Sequence, residues 1–150
     1  MDVRIFTEPQ QGATYDELLS MALATESAGF DAFFRSDHKY ANEFNLAFQS
    51  PEQARVILRA VDEACEAIGR DPKEIKRSIA LQTVCGRDGA ECKRRALAIG
   101  RELDGVKARG LAGTPREIAE RLKSFAALGI SRVNLQMLDV TDLERVQPNR

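Results

Sequence analysis

The stretch Gly29-Phe30-Asp31-Ala32-Phe33-Phe34-Arg35-Ser36-Asp37-His38 decides how this chain is read. Gly29 suits the left-handed conformation that closes a helix. Ala32, Phe33 and Phe34 form the short apolar run of a parallel strand covered on both faces. Ser36, Asp37 and His38 follow where that strand ends, and parallel α/β folds place their chemistry at the carboxyl ends of strands. His38 is the single histidine of the chain. It is therefore the first candidate for a catalytic group titrating near neutral pH; a solvated loop histidine is the alternative.

Working outward, the same plan recurs. Val3 to Phe6 reads as a strand, and Thr14-Tyr15-Asp16-Glu17 is a capping box that opens the helix closed by Gly29. Ser50-Pro51-Glu52-Gln53 is a second box, with proline at the first helical position. Ala54, Ile57, Leu58, Val61, Cys65 and Ile68 then make a stripe of helical period. Ile79 to Cys85 reads as a strand. Asp88, with Glu91, starts one long helix through Cys92, Ala96, Ile99 and Leu103. Gly110 to Gly113 reads as a loop, and Thr114-Pro115-Arg116-Glu117 opens the last helix, stopped by Gly129 before a strand. Thr14, Glu17, Leu18 and Gly29 are echoed by Thr114, Glu117, Ile118 and Gly129, an offset of 100 residues. Repeated helix–strand units of this kind build barrels and doubly wound sheets. The prediction is five strands, near 2–6, 31–35, 42–47, 78–85 and 132–137, and helices near 14–28, 51–68, 88–103 and 114–128. The tail from Thr141 offers one apolar turn, Leu143 and Val146.

Composition narrows the function. The 150 residues suffice for one domain, 43% hydrophobic and 30% charged, an ordinary globular balance. A net charge of −1 argues against nucleic acid or anionic membrane as partner, and Lys93, Arg94 and Arg95 read as a solvated helix face. Cys65, Cys85 and Cys92 lack C-x-x-C spacing, which argues against a metal site or disulfide framework and fits a reducing cytoplasm. No apolar run approaches the ~20 residues of a membrane span, and the start of the chain has no signal-like segment. Rossmann and P-loop glycine patterns are absent. Gly110-Leu111-Ala112-Gly113-Thr114-Pro115 is the best phosphate-loop candidate; a tight strand–helix turn is the other reading.

The run Arg4-Ile5-Phe6-Thr7-Glu8-Pro9-Gln10-Gln11-Gly12 and the stretch through Ser36-Asp37-His38 closely resemble the N-terminus of luciferase-like monooxygenases, in the branch of deazaflavin (coenzyme F-420)-dependent oxidoreductases. Ala41-Asn42-Glu43-Phe44-Asn45, Gly69-Arg70-Asp71-Pro72 and Gly113-Thr114-Pro115 to Gln136 resemble the C-terminal third of the same proteins. Residues 1–38 thus look like the N-terminal βαβ unit and 41–150 like the C-terminal third. The resemblance implies a (βα)8 TIM barrel, which takes ~250 residues when complete. This chain would then be a single truncated barrel domain with an internal deletion between His38 and Tyr40. It would keep the first, second, sixth, seventh and eighth strands and lose much of the coenzyme pocket. His38 corresponds to the proposed catalytic histidine and Asp37 to a coenzyme-contacting aspartate; Asn42 stands where the family has aspartate.

Two functions follow from the resemblance. One is an F-420-dependent oxidoreductase, with FMN as the alternative coenzyme and a small-molecule substrate. The other is a non-catalytic remnant, binding no coenzyme, that self-associates through its sheet edges. The expected architecture is an open parallel sheet in which the strand at 132–137 lies between those at 78–85 and 2–6, with 42–47 and 31–35 outermost. Residues 39–48 are expected to be extended or irregular and leave the parental position, or to pair antiparallel, because a link of four residues is too short to return along the sheet. Opening the barrel is expected to uncover inward-facing Phe33 or Phe34, Leu81, Val133 and Leu135, driving homo-oligomer formation. A helix folded over that face would instead permit a monomer.

Overall fold

A computed structural model describes residues 1–7, 14–35 and 43–139. Its elements run β1 (Asp2–Thr7), α1 (Tyr15–Ser27), β2 (Ala32–Arg35), β3 (Glu43–Ala47), α2 (Pro51–Ala67), a 3-10 turn (Pro72–Glu74), β4 (Lys76–Cys85), α3 (Gly89–Ala98), α4 (Leu103–Arg109), β5 (Leu111–Gly113), α5 (Pro115–Ala126) and β6 (Arg132–Gln136). The tail from Thr141 lies outside the described residues.

Local chemistry explains the boundaries. Thr14 with Glu17, Ser50 with Gln53 and Thr114 with Glu117 each close a reciprocal capping box, satisfying backbone donors that the first helical turn leaves orphaned. The two related units share their capping boxes and the bond that closes each helix. Gly29 and Gly129 are left-handed, at φ 76° and 80°. Phe30 N–H donates to Thr25 O and Ile130 N–H to Phe125 O, the six-to-one bond of a glycine-terminated helix.

Two expectations about element boundaries are corrected. The single helix over 88–103 is two helices: Gly100, at φ 67°, ends α3, with Arg101 N–H donating back to Ala96 O. The loop at Gly110 to Gly113 contains a sixth strand, β5, paired in parallel with Thr83–Cys85.

All strand pairs are parallel, in the order β2-β1-β6-β4-β3, with β5 also on β4. This is the expected order. The expected departure of residues 39–48 is overturned where the structure describes it: Glu43–Ala47 pairs in parallel with β4, while residues 39–42 lie outside the described residues. β2 ends at Arg35 and β3 begins at Glu43, so the link is longer than the four residues assumed. Eight Cα steps reach ~26–29 Å. Four inter-strand spacings of ~4.8 Å combined at right angles with a strand of ~17 Å require ~26 Å.

Phe48 N–H donates to Ala80 O and Gly86 N–H to Gly113 O. Ala80 and Gly86 are six positions apart, so in an alternating strand both point to the same edge of β4. β3 and β5 therefore share that edge, one beyond the other. The step from β4 to β5 runs opposite to the others, and right-handed crossovers then put its helices on the opposite face. The packing agrees. Ile5, Ile79, Leu81, Val133 and Leu135 pack with Met21, Ala54, Leu58 and Phe125 of α1, α2 and α5, whereas Val84 and Ala112 pack with Ala96 and Val106 of α3 and α4.

The inner-face expectation is thereby overturned. Leu81, Val133 and Leu135 are buried in the helix-covered core, with the partly buried Phe33 packed against it. In the sheet registers the opposite face carries Asp2, Arg4, Asn45, Ser78, Ala80, Gln82, Arg132, Asn134 and Gln136. The period of two was read correctly and assigned to the wrong side. Three helices lie on one face, so that face is the apolar one.

Candidate functional site

The polar face is braced at the amino ends of the strands. Arg132 is buried; its Nε donates to Asp2 Oδ2 at 3.0 Å and its Nη1 to Glu43 Oε2 at 2.5 Å. Glu43 lies two strands away from β6, so the guanidinium crosses over β4, where the small Ser78 leaves room. Ser78 Oγ donates to Asn45 Oδ1 at 2.8 Å, and Asn134 Nδ2 points to the same oxygen at 3.5 Å. Arg4 donates two hydrogen bonds to Asp2 Oδ2 from Nε and Nη2. Hydrogen bonding from Arg4 is the chief reason the Asp2 carboxyl is held down at about 2.

Toward the carboxyl ends this face changes character. Asn134 and Gln136 are only 4% and 2% exposed, and among the described residues Asn134 Oδ1 and Gln136 Oε1 have no hydrogen-bond donor. Gln82 stands beside Gln136 in register. The two amide acceptors lie two residues apart on one strand, hence ~7 Å. Sequence reasoning missed them, and their signal was present: Asn134 and Gln136 alternate with Val133 and Leu135. The residues singled out for chemistry, Asp37 and His38, lie outside the described residues, as does Ser36. They follow Arg35, which pairs with Thr7 at the carboxyl end of the β1–β2 ladder.

Two other regions are settled by their own side chains. In the phosphate-loop candidate, the Glu117 carboxylate accepts from Thr114 N–H at 2.7 Å and from Thr114 Oγ1 at 2.8 Å. Those bonds hold the Glu117 carboxyl below its ordinary range. A Cβ on Gly113 would meet Glu117 Oε2 at 2.7 Å. The protein's own carboxylate thus occupies the place of an anion, and the tight-turn reading holds. In the basic cluster, Lys93 and Arg94 are exposed but Arg95 is buried, which corrects the solvated-face reading for Arg95. It donates to Cys85 O at 2.7 Å and pairs with Glu91 at 3.1 Å. Glu91 also accepts from Arg87 N–H, chiefly for which its carboxyl is lowered to about 2.

No family model and no curated protein sequence matches the chain. Solved structures do. The coenzyme F420-dependent tetrahydromethanopterin reductase of Methanopyrus kandleri matches with a TM-score of 0.54 and 13% identity, over 76% of this chain and 48% of that one. Flavoprotein 390 matches with a TM-score of 0.56 and 9% identity, over 96% of this chain and 89% of that one. The monooxygenase RslO1 of Streptomyces bottropensis matches with a TM-score of 0.49 and 21% identity, over 95% of this chain and 44% of that one. At these identities the likeness is one of fold, an α/β sheet of the luciferase-like barrel type. The chain spans about half the length of the reductase. It spans most of flavoprotein 390, so a sheet of this reduced size is built by another chain as well. Among the described residues no helix is long and apolar enough to cross a membrane.

Proposed function

We propose that this chain is a flavin- or deazaflavin-dependent oxidoreductase of the luciferase-like kind, acting on a small molecule. The observation that carries the reading is Ser36-Asp37-His38 directly after the carboxyl end of β2, in a sheet of this fold. Coenzyme F-420 is the first candidate and FMN the second. The residues on the polar face fit such a group, because Asn134 Oδ1 and Gln136 Oε1 are buried acceptors without donors among the described residues and the coenzyme's ring carries an N–H edge. When bound, the coenzyme supplies hydride chemistry. Asp37 holds the coenzyme in place, and His38 gives or takes the accompanying proton. The free thiols of Cys65, Cys85 and Cys92 support a reducing, cytoplasmic compartment.

The test is a fluorescence titration of F-420 and of FMN, followed by turnover in His38→Ala. The reading expects saturable binding in both proteins and turnover only in the unmutated one. Absence of binding at high protein concentration would end it.

One observation favours a second reading, a non-catalytic shortened barrel. α3 and α4 pack on the face that a complete barrel turns inward. β2 and β3, the outermost strands among the described residues, and exposed Leu19 and Leu23, one turn apart on α1, support self-association in either reading. Light scattering tests this: a mass of 16.6 kDa at every concentration would exclude the oligomer.

A further inference from the structure

The carboxyl ends of β3 and β4 form a topological switch point. β3 leads into α2 on the apolar face, and β4 into α3 on the opposite one, leaving a crevice of the kind that takes ligands in open α/β sheets. A cavity of about 300 Å³ lies there, lined by Phe48, Gln82, Arg101, Glu102, Val106 and Arg109. It sits where β3 has ended and β5 has not begun. We propose that this cavity binds a small planar carboxylate of one aromatic ring.

The roof of the cavity is fixed in place. Gly110 passes so close to β4 that a Cβ there would lie 2.5 Å from Gln82 O. Arg121 of α5 donates to Gly110 O at 2.9 Å and to Ala108 O at 3.2 Å, tying down the end of α4. The wall is equally specific. Phe48 adopts φ 54°, a conformation glycine takes freely and a bulky side chain takes at a cost. Its N–H is held by Ala80 O, so its ring is kept at the cavity. Phe48 and Val106 supply apolar surface for a ring. Arg101 and Arg109 outnumber Glu102 at the rim and suit a carboxylate, which a guanidinium binds in a fork. Gln82 offers an amide to a polar ring substituent. The volume is at the low end for ligand pockets, which run to ~1,000 Å³. It admits one ring and not a three-ring coenzyme, so the proposal does not depend on the coenzyme reading above.

The experiment is ligand-observed NMR and calorimetric titration with 4-hydroxybenzoate as the probe. 4-Hydroxybenzamide controls for the charge and acetate for the ring. The proposal expects saturable 4-hydroxybenzoate binding and about tenfold or weaker binding of both controls, a gap of ~1.4 kcal/mol. Phe48→Gly removes the wall and relieves the backbone, so it should keep or raise the melting temperature while weakening the probe about tenfold. Arg101→Gln and Arg109→Gln, at exposed positions, should each weaken the probe and leave the amide control unchanged. These two variants keep the test decisive if Phe48→Gly lowers stability. No saturable binding, equal binding of probe and controls, or binding indifferent to all three substitutions would overturn the proposal.

Discussion

The two faces of the sheet are built from alternate residues of the same strands, yet they do opposite work. On β6, Val133 and Leu135 enter a core shared with α1, α2 and α5, while Arg132, Asn134 and Gln136 point the other way and are just as buried. On the first face burial is made favourable by apolar contact alone. On the second it depends on partners: Arg132 has Asp2 and Glu43, whereas Asn134 and Gln136 keep an acceptor each without a donor among the described residues. An unsatisfied buried acceptor costs stability, so the second face is where the molecule gives up stability and where a ligand has something to gain.

The largest effects are expected on the apolar face. Phe125→Ala should cost about 3–5 kcal/mol and Leu81→Ala about 2–5 kcal/mol, read from urea midpoints, since both side chains are fully buried. Either variant losing under about 1 kcal/mol would contradict the core as described. Glu43→Ala comes next. Among the described residues it leaves the guanidinium of Arg132, whose side chain is 10% exposed, with only Asp2 as partner, and should cost about 3 kcal/mol. A double-mutant cycle with Arg132→Met should recover much of that loss.

Smaller effects are expected where the backbone carries the constraint. Gly129→Ala meets nothing closer than Arg77 Nη1 at 3.9 Å, so its cost is that of a left-handed alanine, about 1–2 kcal/mol. Gly29→Ala should match it, because the two units share their geometry. The smallest effect is a pH dependence. The folded-state pKa of Asp2 is about 2, against an ordinary 3.8. A depressed carboxyl stabilises the fold above its unfolded pKa and loses that contribution as pH falls toward the folded one. The gap in urea midpoint between the unmutated chain and Asp2→Asn should therefore hold from pH 7 to about 4 and close toward about 2.

The caps, the glycine stops and the strand order were legible because each is a local signal. Thr14, Ser50 and Thr114 announce helix starts, Gly29 and Gly129 announce stops, and short βα connections leave few topologies. Gly100 carried the same stop signal as Gly29, but the stripe through Ile99 and Leu103 masked it. β5 is three residues long, below what periodicity can register. The sense of the polar face was not legible from one strand, since alternation is symmetric until the number of helices on each side is known. The meeting of Arg132 and Glu43 depends on the small Ser78 between them, a contact across two strands that spacing cannot reveal.

The most direct test uses two neighbouring residues of β6. Leu135→Gln places an amide in the apolar core, and Gln136→Leu removes the buried amide whose acceptor has no donor among the described residues. The account predicts that Leu135→Gln loses more than about 3 kcal/mol in urea denaturation, while Gln136→Leu stays within about 1 kcal/mol of the unmutated chain, or exceeds it. Equal losses for the two, or the larger loss for Gln136→Leu, would contradict the assignment of the faces.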